Sequence, residues 1–306
     1  MMIIVSYLKI ARPDHWFKNI FMVPGLLYAS VINDFFSIDS IFKFLIALIS
    51  TCLIASANYV INEWLDSEFD KFHPIKKDRP SVSGNLNYKF VYLEYFVLST
   101  IGLIIASRLG NVFLIISIWF LLMGLIYNVK PLRTKDLPYL DVLTESVNNP
   151  IRFLLGWFSV IEVDHVIPIS IIIGYWMAGA FLMGIKRFAE YRSIGKSSAE
   201  LYRLSFKYYN ERKLLFSSLF YSMASTFFLG IFLIKHRLEL ILFFPFLCLL
   251  FIWYLSIGFE KDSIVQTPEK LYTNKSFLVY SFFMLILLIF LAYIDIPIVY
   301  ELFPLD

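Results

Sequence analysis

Nine apolar runs, each close to twenty residues long, set the terms on which this chain can fold. A hydrocarbon core of roughly 30 Å is crossed by about 20 residues of α-helix. Runs that fit lie near residues 17–35, 41–62, 90–107, 111–128, 142–161, 166–185, 214–234, 238–258 and 276–296. Backbone polar groups in lipid must pair within their own segment, so helices are the default. Composition points the same way: 59% of the 306 residues are hydrophobic and only 17% charged, against about a quarter charged in a soluble domain. The expectation is an all-α membrane protein, a bundle of nine transmembrane helices forming a single domain over residues 1–306. The opening MMIIVSYLKIARPDHW has too short an apolar stretch and no small-residue cleavage site for a signal peptide, and reads as an interfacial helix leading into the first span.

Orientation follows from the asymmetry of lysine and arginine between alternate loops. In a nine-span arrangement, 22 of the 27 basic residues fall on one side: the N-terminal segment and the loops 63–89, 129–141, 186–213 and 259–275. Lys43, Arg108, Arg152, Lys235 and Arg237 are the rest. This predicts a cytoplasmic N-terminus, an outside C-terminus and a multi-pass cell-membrane location. Basic residues confined to short loops between spans argue against a nucleic-acid partner. Cys52 and Cys248 lie far apart in apolar runs and read as packing residues rather than a disulfide or metal pair.

The chemistry gathers where the second span runs out. Asn58, Asn62, Asp66 and Asp70 recur every four residues and so form one stripe on a helix. Carboxylates one turn apart repel unless a cation sits between them. Oxygen ligands suit Mg²⁺, which binds through one or two carboxylates plus substrate phosphates. The bland alternative is a solvated acidic helix end, but unpaired carboxylates at a membrane boundary are costly. Directly after come Lys71, His73, Pro74, Lys76, Lys77, Arg79, Pro80 and Gly84. The prolines and glycine mark a shaped loop, and Lys76, Lys77 and Arg79 are placed to neutralise phosphate oxygens, Arg79 two at once. The positive-inside tendency accounts for the lysines equally well, and His73 beside a proline is more often structural than a ligand. Lys130 and Arg133, in the compact loop after the fourth span, are further phosphate candidates. That loop runs into Asp141, Glu145, Asn148, Asn149 and Arg152, with Pro150 interrupting the fifth span. Asp141 and Glu145 share a face. They either pair with Arg152 or loop bases to hold that span, or they touch substrate.

Asn62-xxx-Asp66-xxx-Asp70 followed by Arg79-Pro80 and Gly84 resembles the first aspartate-rich motif of the UbiA superfamily, nine-helix intramembrane transferases acting on polyprenyl phosphates and diphosphates. The opening Arg12-Pro13-Asp-His-Trp16-Phe-Lys18-Asn19, the run His73-Pro74-x-Lys76-x-x-Arg79-Pro80, Lys186-Arg187-Phe-Ala-Glu190 and, more weakly, Pro268-Glu269-Lys-Leu271 are similar to the decaprenyl-phosphate phosphoribosyltransferase branch. Prenyltransferases of the superfamily usually carry a second aspartate motif after span six. Here that position holds Lys186, Arg187, Glu190 and Arg192, one acid among bases.

The resemblance implies transfer of phosphoribosyl from phosphoribosyl diphosphate to a polyprenyl phosphate with release of diphosphate, at a site facing the cytoplasm. It implies Mg²⁺ on Asp66 and Asp70, with Asn62 helping. Phosphates would be held by Lys76, Lys77 and Arg79, while Lys186 and Arg187 would take the ribose 5-phosphate or the lipid phosphate. The alternative is a UbiA-type prenyltransferase moving a chain from a prenyl diphosphate to an aromatic or other acceptor. A non-catalytic transporter or lipid-binding protein is a third possibility, and the sequence has no clear internal repeat of the kind transporters show.

Overall fold

A computed structural model describes residues 2–32, 37–83, 86–161, 167–236 and 238–303. Gly84, Arg237 and the end of the first predicted span, residues 33–35, lie outside these. The described residues are organised as helices: α1 (Met2–Ile10), α2 (Val23–Ile32), α3 (Ile38–Asp70), α4 (Tyr88–Ser107), α5 (Asn111–Asn128), α6 (Leu140–Ser146), α7 (Asn148–Phe158), α8 (Ile169–Ile194), α9 (Lys196–Tyr202), α10 (Glu211–His236), α11 (Phe244–Gly258), α12 (Lys275–Tyr293) and α13 (Pro297–Leu302). Short 3-10 helices join several of them, the longest at Pro13–Met22.

Seven helical stretches among the described residues are long and apolar enough to cross a membrane, and they match seven of the nine predicted spans. The other two are broken. The first predicted span becomes the 3-10 helix Pro13–Met22 followed by α2, and the fifth becomes α6 and α7, which meet at Val147. Pro24 in the first turn of α2 and the run Asn148-Asn149-Pro150 in the fifth stretch are local causes, since proline removes a backbone donor. These are integral membrane segments with an inverted surface. On α4 the buried stripe is Val91, Tyr95, Ser99, Gly102 and Ala106, while Phe90, Leu93, Val97, Ile101 and Ile104 face outward. Small and polar residues face in and large apolar ones face out, as expected where lipid supplies no hydrophobic drive between helices.

The chain divides into two compact units. The first comprises residues 1–166 and 194–210, and α3 is its axis. Ser37 caps α3, its hydroxyl accepting from Ser40 N at 3.1 Å. At 33 residues, α3 is about 50 Å long, so its last turns extend beyond a hydrocarbon core of roughly 30 Å. Helices α4, α5 and α7 pack along it around Met22, Ala47, Ile54, Phe113, Phe120, Ile151 and Leu155. Helices α2 and α7 approach backbone to backbone. A Cβ on Gly156 would lie 1.9 Å from the Met22 carbonyl oxygen, and one on Gly25 2.0 Å from that of Phe153. Gly156→Ala is therefore expected to destabilise the protein by about 1–3 kcal/mol, the usual penalty of overpacking. The midpoint of thermal unfolding in detergent checks this, and an unchanged midpoint would contradict the close approach.

In the second unit, residues 167–193 and 211–306, α8 packs on α10 through Gly174 and Gly184, with Ser225 Oγ donating to the Gly174 carbonyl at 2.9 Å. Phe181 stacks on Phe251 of α11 at 4.7 Å, and Tyr280 of α12 donates to the Phe246 carbonyl at 2.8 Å. Both cysteines are free thiols, Cys52 buried and Cys248 partly so.

Candidate active site at the end of helix α3

The four-residue stripe is real helix, and its neighbours come from two loops and the N-terminal segment of the first unit. Asn62 Nδ2 donates to Asn128 Oδ1 at the end of α5 at 2.5 Å, and Asn128 Nδ2 in turn donates to the Gly124 carbonyl at 2.8 Å. One turn on, Asp66 Oδ1 takes Lys135 Nζ and, at 3.1 Å, Arg133 Nη2. Lys135 is only 3% exposed and also donates to Asn128 Oδ1 at 2.7 Å. Burial brings its ammonium from 10.5 down to about 8, with Asp66 only partly offsetting that loss. Arg133 adds bonds to the Asn128 carbonyl at 2.9 Å and to Asp136 at 3.0 Å. It does so from a left-handed backbone, φ 25°, and strain of this kind gathers where neighbouring structure enforces it.

Asp70, 1% exposed, takes Arg79 Nη1. Arg79 Nε also lies 3.9 Å from Glu63 Oε2, and Arg12 Nε donates to the same oxygen at 3.1 Å. Glu63 precedes Asp70 by seven residues, about two turns, so both acids face the same arginine. Burial works against the Arg79 charge, yet Asp70 and Glu63 hold its guanidinium above its ordinary range.

Over these lie the loop 72–83 and the segment 194–210. Lys76 Nζ meets the hydroxyl of Tyr202 and sits over its ring at 4.5 Å. His73, 4% exposed, accepts through Nδ1 from Ile75 N at 3.1 Å and Lys76 N at 3.3 Å. Those bonds shape the loop, which is a structural role for His73. Asp141, fully buried, accepts from Tyr209 OH at 2.7 Å and Ser205 Oγ at 3.1 Å, with Arg203 Nη1 at 3.9 Å. Glu145 accepts from Tyr127 OH at 2.7 Å, to which Arg203 donates at 3.2 Å.

Thus the fold brings Asn62, Asp66, Asp70, Lys76, Arg79 and Arg133 together, with Asp141 and Glu145 in an adjoining cluster. Lys77 and Lys130 are exposed, and neither has an ion pair or hydrogen bond from its side chain among the described residues. Asn149 is half-buried outside these bonds. Arg152 sits deeper, donating to Asn19 Oδ1 at 2.8 Å. In the second unit Arg187 and Glu190 pair with each other at 2.8 Å, both 2% exposed or less, and Lys186 is half-buried beside them. Lys135, Glu63, Asn128, Tyr202 and Arg203 are members that the sequence reading did not single out. Glu63 was within reach of it, through its seven-residue spacing to Asp70.

The donor set suits a divalent cation. Asp66 and Asp70 each commit one oxygen to protein cations. Among the described residues, Asp66 Oδ2, Asp70 Oδ1 and Asn62 Oδ1 make no hydrogen bond or ion pair. Three hard oxygens along two turns of helix match the ligands Mg²⁺ takes when substrate phosphates and water complete its shell. Among the described residues no group of three or more His, Cys, Asp or Glu side chains is placed to hold a metal ion, so the protein's share of the shell would be the two carboxylates and the Asn62 amide.

Comparison with known proteins identifies the family. Residues 20–285 match the UbiA prenyltransferase family. The nodulation protein NoeC of Azorhizobium caulinodans is 28% identical over 196 residues, which is 64% of this chain and 60% of that protein. The decaprenyl-phosphate phosphoribosyltransferase of Mycolicibacterium smegmatis is 26% identical over 223 residues, 70% of this chain and 65% of that enzyme. The matches therefore span less than two thirds of these relatives. A UbiA homologue from Archaeoglobus fulgidus, solved bound to GPP and Mg²⁺, superposes with a TM-score of 0.69 at 18% identity, covering 91% of this chain and 99% of that one. With the motif on α3, the fold and the family match in agreement, the chain belongs to the UbiA prenyltransferase family.

Proposed function

We propose that this protein is a Mg²⁺-dependent intramembrane transferase that moves phosphoribosyl from phosphoribosyl diphosphate to a polyprenyl phosphate and releases diphosphate. We further propose that residues 1–306 act as one domain crossing the cell membrane nine times, the site and N-terminus on the cytoplasmic side and the C-terminus outside. The observation that carries the reading is the pair Asp66–Asp70 at the end of a span, each with one oxygen held by cations and, among the described residues, one that makes no hydrogen bond or ion pair. Two features favour ribosyl over prenyl transfer. The Mycolicibacterium relative carries that name. At the position where superfamily prenyltransferases carry a second acid pair, this chain has Arg187 and Glu190 tied to each other. The runner-up, prenyl transfer from a diphosphate, draws on the GPP-bound homologue.

In this reading Asn62, Asp66 and Asp70 would hold the metal, which when bound supplies positive charge against the charge growing on the leaving diphosphate. Arg133 and Lys135 fix Asp66, and Arg79 fixes Asp70, so neither carboxylate has to reorient during the reaction. Lys76, half-buried against Tyr202, would turn from it to a phosphate oxygen. The lipid phosphate is already an anion, so no general base is required: its oxygen bonds to C1 of the ribose as the C1–O bond to diphosphate breaks. Purified protein given labelled phosphoribosyl diphosphate with polyprenyl phosphate should form a ribosylated lipid, dependent on added Mg²⁺. Product only from prenyl diphosphate and an aromatic acid would install the runner-up instead.

A further inference from the structure

The 3-10 helix Pro13–Met22 is an odd element to find in a membrane bundle. Runs of 3-10 beyond three or four residues are uncommon, and this one has ten. It lies antiparallel along α3: Arg12 meets Glu63, Trp16 Nε1 donates to Ser56 Oγ at 2.8 Å, and Asn19 Nδ2 to Cys52 Sγ at 3.1 Å. Phe17 and Ile20 face outward, while His15 and Asn19 are buried. Lys18 Nζ is 3.0 Å from His15 Nδ1 and 5.6 Å from the centre of the Tyr59 ring. From α7, Arg152, 6% exposed, bonds Asn19 and lies 4.9 Å from the Phe120 ring. Asn19, which Arg152 bonds, directly follows Lys18 in the chain, so both cations flank the same turn of the 3-10 helix. Charged side chains inside a bundle are costly and mark binding sites or pathways.

A second observation points to a ligand. Asn148 Oδ1 is buried and accepts no hydrogen bond. Its Nδ2 donates to the Glu145 carbonyl at 3.1 Å, which fixes the orientation of the amide. Arg152 Nη1 donates to the Asn148 carbonyl at 3.3 Å, so this unsatisfied acceptor belongs to the same locality. A buried acceptor without a donor is destabilising, a loss that a ligand hydroxyl would recover.

We propose that Lys18 and Arg152 bind the phosphate of the lipid acceptor, with Asn148 accepting a hydroxyl of the ribosyl group. The inference rests on the phosphoribosyl-transfer reading and adds a second phosphate site to it. Displacement at C1 puts the attacking oxygen and the departing diphosphate on opposite faces of the sugar, so one site cannot serve both. Tyr59 precedes Asp66 by seven residues, or about 10 Å along α3 toward the membrane interior. That separation accommodates a ribose, with the lipid-borne phosphate on the bilayer side and the soluble diphosphate on the aqueous side.

The test uses the full chain in nanodiscs and compares wild type with Lys18→Met, Lys18→Arg, Arg152→Gln and Arg152→Lys. For Lys18→Met and Arg152→Gln, KM for a short-chain polyprenyl phosphate should rise about tenfold or more, with KM for phosphoribosyl diphosphate and the Mg²⁺ dependence unchanged. Lys18→Arg should restore it. Direct binding of the polyprenyl phosphate without donor should weaken in parallel, whereas binding of the uncharged polyprenol should not. A rise confined to the donor's KM, unaltered lipid binding in both charge-removing variants, or equal competition by phosphatidic acid or inorganic phosphate would overturn the assignment. If a charge-removing variant does not fold, the wild-type competition and the Lys18→Arg and Arg152→Lys kinetics decide. Wild-type protein that binds neither substrate would sink the reaction itself. Wild-type protein that binds both, beside variants that do so equally well, would sink only this site.

Discussion

Asp66→Ala is expected to lower kcat/KM roughly a hundred- to a thousandfold, the range seen when one preorganised charge-stabilising group is lost, and also to weaken the fold. The second effect follows from Lys135. Its ammonium is almost fully buried and bonds Asp66 Oδ1 and Asn128 Oδ1. Removing the carboxylate leaves an uncompensated charge in the interior, which costs about 3–5 kcal/mol. Adding Lys135→Met should therefore recover most of the stability of Asp66→Ala while leaving transfer lost. Thermal unfolding in detergent and the paired-substrate assay separate the two outcomes. Recovery of activity in the double variant would show that Asp66 serves only to neutralise Lys135. Near-normal activity in the single variant would remove Asp66 from the site.

How far the site could be read in advance depended on sequence distance. Asn62, Asp66 and Asp70 are one helix with a period of four, so their shared face follows from geometry within the segment. Lys76 and Arg79 follow within ten residues of Asp70, and a loop that short cannot carry them far. Asp141's partners are different. Ser205 and Tyr209 lie more than sixty residues away, and no local pattern links them. Tyr202, which receives Lys76, is equally remote. Lys77 and Lys130 carry charge without a partner in the cluster, and the lysine and arginine bias between alternate loops explains them as well as any substrate does. The helix count shows a similar divide. Hydropathy averages over a window and cannot see that residues 13–32 change from 3-10 to α-helix or that α6 and α7 meet at Val147, because those breaks come from Pro24, Asn148 and Pro150.

The second large effect concerns Arg79, where position in sequence and position in space give different roles. Its place after the acidic stripe suggests a grip on phosphate. In the fold its Nη1 is bonded to Asp70 while Nε lies 3.9 Å from Glu63, so the planar fork spans two buried acids. Lysine offers one point charge where the fork offers several donors. Arg79→Lys should therefore keep one pairing and lose the other. Arg79→Ala leaves Asp70 without its ion pair, with only the Lys76 charge nearby, and Glu63 with Arg12 and Ser81, and should reduce kcat/KM by roughly a hundredfold or more. Its diagnostic feature lies in the metal dependence. If Arg79 holds Asp70 in its metal-binding orientation, both variants should need about tenfold more Mg²⁺ for half-maximal rate, in line with the usual loss when a residue orienting a metal ligand is removed. KM for phosphoribosyl diphosphate, measured at saturating Mg²⁺, should move little. The opposite pattern, a raised donor KM with an unchanged Mg²⁺ curve, would make Arg79 a phosphate ligand and leave Asp70 oriented by other means.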